Sequence, residues 1–425
     1  MGVIIINIEK PIMYLYIHSF YKLWLILLFT TVHLAYSQGE FYSKNLKHYY
    51  DLDAEIRLAH KVINFQGKML LFLKLTINHD RTRIEDLITT YGFINNYSKN
   101  IVLSSDTIML KTHWISNQGN AHYLSFELLN PEIKKILIIK ILNKISGNDF
   151  YFDILVDPEA KYTNSGIILK VPGTRLPFFR NYIRENEDFG LVNLKTEDSV
   201  IHVFRYTSDF TIADPPFSSS NKSIIRSIEI DSAFTIRAHG DTLNLSKKAL
   251  YFAQYDTTGV NGLAFRVEEK YFPRTSSYDE LIASLTYFTT RSEMDKLTSA
   301  KDKKKAFDQY WIEITKSTDR AKRIIREYYL RINLANELFT SYKQGWKTDK
   351  GMIFVIYGPP DEVLKDGERE EWIYGSTNQL PRINFTFAKS RSIFTNDHYV
   401  LLRKKSYQQI WYKAIDLWRK GQMEL

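Results

Sequence analysis

Asp349, Asp361 and Glu362, followed by Glu368, Glu370 and Glu371, place carboxylates close together near the end of the sequence. Paired acids can divide the work of proton donor and base or nucleophile, as in glycoside hydrolysis, where they stand about 5–10 Å apart. Asp349 and Asp361 lie on either side of the apolar run Met352–Tyr357. Read as a strand, that run covers about 20 Å at roughly 3.3 Å per residue, so the two acids pair only if the next turn folds back. Asp349, Asp361 and Glu362 are thus the candidates for a hydrolase or transferase acting on cell-surface polysaccharide or peptide. Their spacing weighs against that role.

Other chemistry is poorly represented. The sequence contains no GxxxxGK[ST] phosphate loop, GxGxxG fingerprint, HExxH, GxSxG or calcium-loop pattern. It has no cysteine, hence no thiol nucleophile, thiolate metal site or disulfide. Its histidines are dispersed, with no two at metal-ligand spacing on one expected element, and His202 and His239 read as structural or exposed. No metal and no cofactor is expected.

The elements that must position these acids fall into blocks. From Phe41 to Asp157, Ala54, Ile56 and Leu58 alternate with Glu55 and Arg57, and Leu71, Leu73, Leu75 and Ile77 alternate with Phe72, Lys74 and Thr76. A period of two marks strands with one face on a core. Further strands are expected at 123–129, 136–142 and 151–156. A second β-rich block, with strands near 227–237, 241–245, 249–255 and 262–268, runs to Pro273, and Pro215–Asn221 reads as an exposed loop. The fold class is mixed and multi-domain: N-terminal antiparallel β-sandwich-like modules followed by a C-terminal α+β domain. The expected divisions are 1–37, a signal peptide; 38–157, a β-sandwich-like domain; 158–275, a second β-rich domain; and 276–425, a helical segment with the α+β domain. Alternation alone leaves open whether 38–275 forms one or two β domains.

The texture becomes helical from Tyr278 to Tyr342. Ala321, Ile325, Tyr328, Ile332, Ala335, Phe339 and Tyr342 form an apolar stripe at helical spacing, with Ser317, Thr318 and Asp319 offering N-cap oxygens. Arg320, Lys322, Arg323 and Arg326 lie near the helix N-terminus, where the macrodipole disfavours cations. Gly345, Trp346, Thr348, Asp349 and Gly351 follow, then the run Met352–Tyr357, expected as a strand, then Gly358, Pro360, Asp361 and Glu362. Tyr407, Ile410, Trp411, Ala414, Ile415 and Trp418 close the chain at helical spacing.

The ordered set Gly345, Trp346, Thr348, Asp349, Gly351, Tyr357, Gly358, Pro360, Asp361 and Glu362 resembles the GWxTD domain, a family of exported proteins largely from Bacteroidota. The resemblance covers about the last third of the chain, and it implies a class without a reaction. Turn chemistry accounts for the same residues. Gly345 can stop the helix in a left-handed conformation, and Trp346 can fold back as an apolar plug with its indole N–H on an acceptor. Thr348 and Asp349 can bond backbone N–H groups two residues on, and Gly351 can turn the chain into the strand.

The N-terminus sorts the chain by compartment. Lys22, the apolar run Leu23–Phe29 and the small residues of Ala35-Tyr36-Ser37 read as a cleaved secretory signal, with Met13 an alternative start to Met1. The formal charge is +9, and residues 1–37 carry two lysines and one glutamate, so their removal leaves +8. That charge suits acidic surfaces, but the cations are scattered among acids apart from Lys301–Lys305. Nucleic acid is not an expected partner, and no integral membrane segment is expected after cleavage. With 28 Tyr, 26 Phe and 7 Trp, the composition suits an interface, since aromatic residues are enriched there. An exported, non-enzymatic binding or scaffold component is the expectation, in the periplasm, at the outer membrane or outside the cell, with an envelope protein or cell-surface polymer as partner. The oligomeric state is left open.

Overall fold

The computed structural model describes residues 41–65, 68–97, 110–129, 133–159, 165–194, 199–206, 210–219, 228–238, 242–390 and 392–423. The expected signal segment, His239 and the end of the 215–221 loop lie outside them.

The N-terminal part contains β1 (Ile56–Phe65), β2 (Lys68–Ile77), β3 (Leu87–Ile94), β4 (Trp114–Gln118), β5 (Ala121–Leu129), β6 (Lys135–Asn143) and β7 (Asp149–Val156). They form two antiparallel sheets, ordered β1-β2-β5-β4 and β3-β6-β7. Leu71, Leu73, Leu75 and Leu124 of the first sheet and Leu137, Ile139, Phe152 and Ile154 of the second share one core. β6 is buried on both faces: Ile136 and Ile138 point the other way, into a core shared with the C-terminal helices. This is why residues 136–139 read as a continuous apolar run rather than an alternation.

The next block holds β8 (Ile167–Lys170), β9 (Tyr182–Arg184), β10 (Phe189–Asn193), β11 (Val200–Tyr206), β12 (Ser232–Arg237), β13 (Thr242–Leu243), β14 (Ala249–Gln254) and β15 (Leu263–Glu268). Its sheets run β13-β10-β8 and β12-β11-β14-β15-β9, antiparallel except where β9 joins β15. Leu169, Leu191, Val203, Tyr251 and Phe265 fill the core between them.

Helices α1 (Tyr278–Ser284), α2 (Arg291–Ser299), α3 (Lys303–Thr315) and α4 (Thr318–Phe339) follow. Asp302, inside the 301–305 cationic run, caps α3 by accepting from the Lys305 N–H at 2.9 Å. Ser317 caps α4, as its residue type suggests. Two of the four misplaced cations of α4 meet carbonyls: Arg320 donates to Thr315 O and Arg323 to Gly421 O. Then come α5 (Asp349–Tyr357), β16 (Glu362–Asp366), β17 (Arg369–Tyr374), β18 (Ile383–Lys389), β19 (Tyr399–Leu401) and α6 (Tyr407–Lys420). The last four strands form an antiparallel sheet in sequence order. The chain thus has the expected mixed class, with β sheets first and an α+β region last.

Two sequence expectations are corrected. Met352–Tyr357 is a helix, not a strand: Thr348 caps its first turn, and every residue from Gly351 to Tyr357 is buried. A helix covered on all sides has no polar face, so its sequence carries no 3.6-residue period and imitates a buried strand. Pro215–Ser219 is not a free loop. Pro216 is buried and its carbonyl accepts from the Lys404 N–H, while the Phe217 ring lies 5.2 Å from Tyr412 on α6.

Candidate functional site

The motif residues build the junction between α4 and α5. Gly345 starts a short 3-10 turn and is not in the left-handed region, contrary to expectation. Its task is close approach, because a Cβ there would stand 1.9 Å from the Ala335 carbonyl oxygen. Trp346 is the expected plug, buried, with its indole N–H donating to Gln344 Oε1 at 3.0 Å. Thr348 accepts from the Gly351 N–H at 3.0 Å and donates to Gly345 O at 2.7 Å, so its reach is three residues rather than two. Gly351 admits that contact, since its Cβ would meet Gly345 O at 2.0 Å. At the far end, the Ile356 carbonyl accepts from Arg331 Nη1 at 3.0 Å and from the Trp418 indole at 2.8 Å.

The structure separates the predicted site acids. Asp349 makes no local turn bond. Its carboxylate accepts from the Leu401 N–H at 2.8 Å and from both terminal nitrogens of Arg403. As the first residue of α5 it also lies at the positive end of the helix dipole. Asp361 follows the other end of α5, about 13 Å away along a helix of this length, where it is exposed and accepts from the Gly375 N–H. Glu362 is half-exposed, 3.9 Å from Arg382. Glu371 holds Asn384 on the outer side of β17. Each of these acids has a separate neighbourhood.

A cavity of about 750 Å³ lies elsewhere, between the N-terminal sheets, the second β block and the α+β region. Of the acids singled out in the sequence, only Glu368 and Glu370 border it. Its inner wall carries two linked charge networks. Asp153 on β7 accepts from Tyr49 Oη at 2.8 Å, Tyr97 Oη at 2.7 Å and Lys365 Nζ at 2.8 Å. Glu370 accepts from Lys350 Nζ at 2.9 Å, from the Trp372 indole at 2.7 Å and from Tyr50. Lys365 and Glu370 are cross-strand partners on β16 and β17, which ties the two networks together. Lys350 also stands 3.7 Å above the Tyr399 ring, a cation–π contact.

Burial raises the cost of charge on both acids, and it is overcome. Lys365 and two tyrosine hydroxyls hold the Asp153 carboxyl below the usual carboxylate range. Lys350, Lys365, Tyr50 and Trp372 do the same for Glu370. Burial lowers the Lys350 ammonium. Asp153 and Glu370 are therefore held in the charged form, and every one of their carboxylate oxygens accepts at least one hydrogen bond. Among the described residues no group of three or more His, Cys, Asp or Glu could hold a metal ion.

Residues 249–420 match the GWxTD domain family. This is a GWxTD domain-containing protein. The matched span begins upstream of the last third, at β14, so it takes in two strands of the second β block as well as the helices and final sheet. No curated protein matches the chain. The GWxTD signature thus serves as a helix junction, and of its residues Thr348 alone also borders the cavity, next to Lys350. Sequence reasoning missed Lys350, Lys365, Asp153 and the tyrosines. The signal for Asp153 was faint: it shares a face of β7 with Tyr151 and Leu155, which pack toward the C-terminal core, and with a second acid, Asp149, at the start of the strand.

Proposed function

We propose that this GWxTD protein is an exported, non-enzymatic binding component of the cell envelope, with the cavity as its binding site. In this reading the two β blocks are sandwich-like modules that the GWxTD domain locks into one scaffold. The observation that carries it is the state of Asp153 and Glu370. A general acid needs a raised pKa and a nucleophile needs an unengaged oxygen, but both carboxyls are held below the usual range, Asp153 by four hydrogen bonds and Glu370 by three, with each of their oxygens engaged. Their chemistry is spent on shape, leaving the rest of the cavity lining to meet a ligand. Export rests on the apolar run Leu23–Phe29 with its small-residue cleavage site. No helix among the described residues is long and apolar enough to cross a membrane.

The competing reading, a hydrolase or transferase using Asp349, Asp361 or Glu362, has weaker support because the three acids do not share a cleft. The test is to fill the cavity at an exposed wall residue with His60→Trp and compare pull-downs from an envelope fraction. Wild type should retain a partner protein or polymer that His60→Trp loses while melting at the same temperature. Equal recovery by both, or no recovery by either, sinks the proposal.

A further inference from the structure

Strand β1 presents an open edge to the cavity. It stands at the end of its sheet and pairs with β2 along its whole length, from Ile56 opposite Ile77 to Phe65 opposite Lys68. Among the described residues, no backbone hydrogen bond reaches the other side of Leu58–Ile63. All of Leu58, Ala59, His60, Lys61, Val62 and Ile63 border the cavity. Side chains alternate between faces of a strand, so a face-on strand would contribute every second residue. An unbroken run means the cavity meets the strand edge-on. In an antiparallel pair alternate residues turn N–H and C=O away from the partner, so this edge offers roughly three unpaired sets over about 20 Å.

Lys61 adds a charge to that edge. Its ammonium donates to Asn181 Oδ1 at 2.7 Å, and among the described residues no carboxylate lies within ion-pair distance of it. Asp397 acts on it only through space. The other cavity acids are occupied: Asp153 by Lys365, Glu370 by Lys350, Glu368 by Lys134, and Asp157 by the Glu159 N–H. Burial lowers the Lys61 ammonium to about 8, so a carboxylate arriving beside it would strengthen its charge.

We propose that the β1 edge takes up an extended acidic peptide segment, which adds to the sheet as a further strand and sets a carboxylate against Lys61. Main-chain pairing supplies affinity in such strand addition, and side-chain contacts supply selectivity. The half-buried Phe178 and Phe179, which also border the cavity, offer apolar surface to the peptide's side chains. The inference deepens the binding reading above by naming its partner class.

A phage-displayed random octapeptide library, panned on the full exported chain, tests this. Enriched peptides should carry Asp or Glu at one position and slow amide exchange at residues 58–63. N-methylation of alternate peptide bonds should abolish binding. Lys61→Gln should weaken acidic peptides about 10-fold while leaving their Gln-substituted versions unchanged. No enrichment, protection confined to other elements, or indifference to N-methylation would overturn strand addition. If the library fails while His60→Trp still loses an envelope partner, binding in the cavity survives and only the peptide assignment falls.

Discussion

Arg403 grips Asp349 across 54 residues of chain, with Nη2 on Oδ1 at 2.6 Å and Nη1 on Oδ2 at 3.2 Å. The clamp fastens the start of α5 to the segment after β19, and the Leu401 N–H adds a third bond to the same carboxylate. The Asp of the signature is thereby engaged in architecture. Asp349→Asn removes the charge of a bidentate pair whose acid side chain is only 10% exposed. Loss of about 2–4 kcal/mol in chemical denaturation is expected. An unchanged midpoint together with a lost phenotype would instead return Asp349 to a chemical role.

Gly345→Ala and Gly351→Ala test the close approaches at the same junction. Each new Cβ would press on backbone carbonyl oxygen at 1.9 Å or 2.0 Å, and a backbone atom cannot swing aside as a side chain can. Both variants should lose at least about 3 kcal/mol or accumulate unfolded. Thr348→Ala, which removes only the N-cap, should cost about 1 kcal/mol. The ordering, read from urea midpoints, is the check.

Asp153→Asn tests the seam between the N-terminal sheets and the final sheet. Lys365 is nearly buried, with 13% of its side chain exposed, so removing its partner strands a charge. Loss of about 3–5 kcal/mol is expected, and Lys365→Met on that background should recover part of it. A double-mutant cycle over the two substitutions measures the coupling. Additive losses would show that the seam does not depend on this pair.

Much of this arrangement was legible in the sequence and some of it was not. The alternation around β1 and β2, the stripe on α6 and the cap at Ser317 all depend on local periodicity or local bonds, and those survive folding. The run Met352–Tyr357 misled because burial on every side erases the period that distinguishes helix from strand. Thr348 before Asp349 was the available correction, an N-cap oxygen ahead of an acid. The cavity wall was less accessible still. Asp153, Lys365, Glu370 and Lys350 come from three separate stretches of chain, and only packing of β7 against β16 and β17 brings them together. Asp349 and Asp361 are close in sequence, but α5 converts that proximity into separation along its axis.

Acid should loosen the helical region through one identifiable pair. Arg419 bonds both oxygens of Glu293, at 2.9 and 2.6 Å, and joins the start of α2 to the end of α6. Those bonds hold the Glu293 carboxyl down to about 2. An unfolded glutamate titrates near 4.3. Because the folded value is the lower one, the contribution is complete above about pH 4.3 and is lost as pH falls toward 2. Glu293 is 25% exposed, so solvent screening keeps the contribution near 1–2 kcal/mol rather than the full linkage value. Glu293→Gln should therefore lower the urea midpoint at pH 7 and reduce its slope between pH 4.5 and 2.5. A variant whose midpoint runs parallel to wild type through that interval would show that the pair does not link α2 to α6.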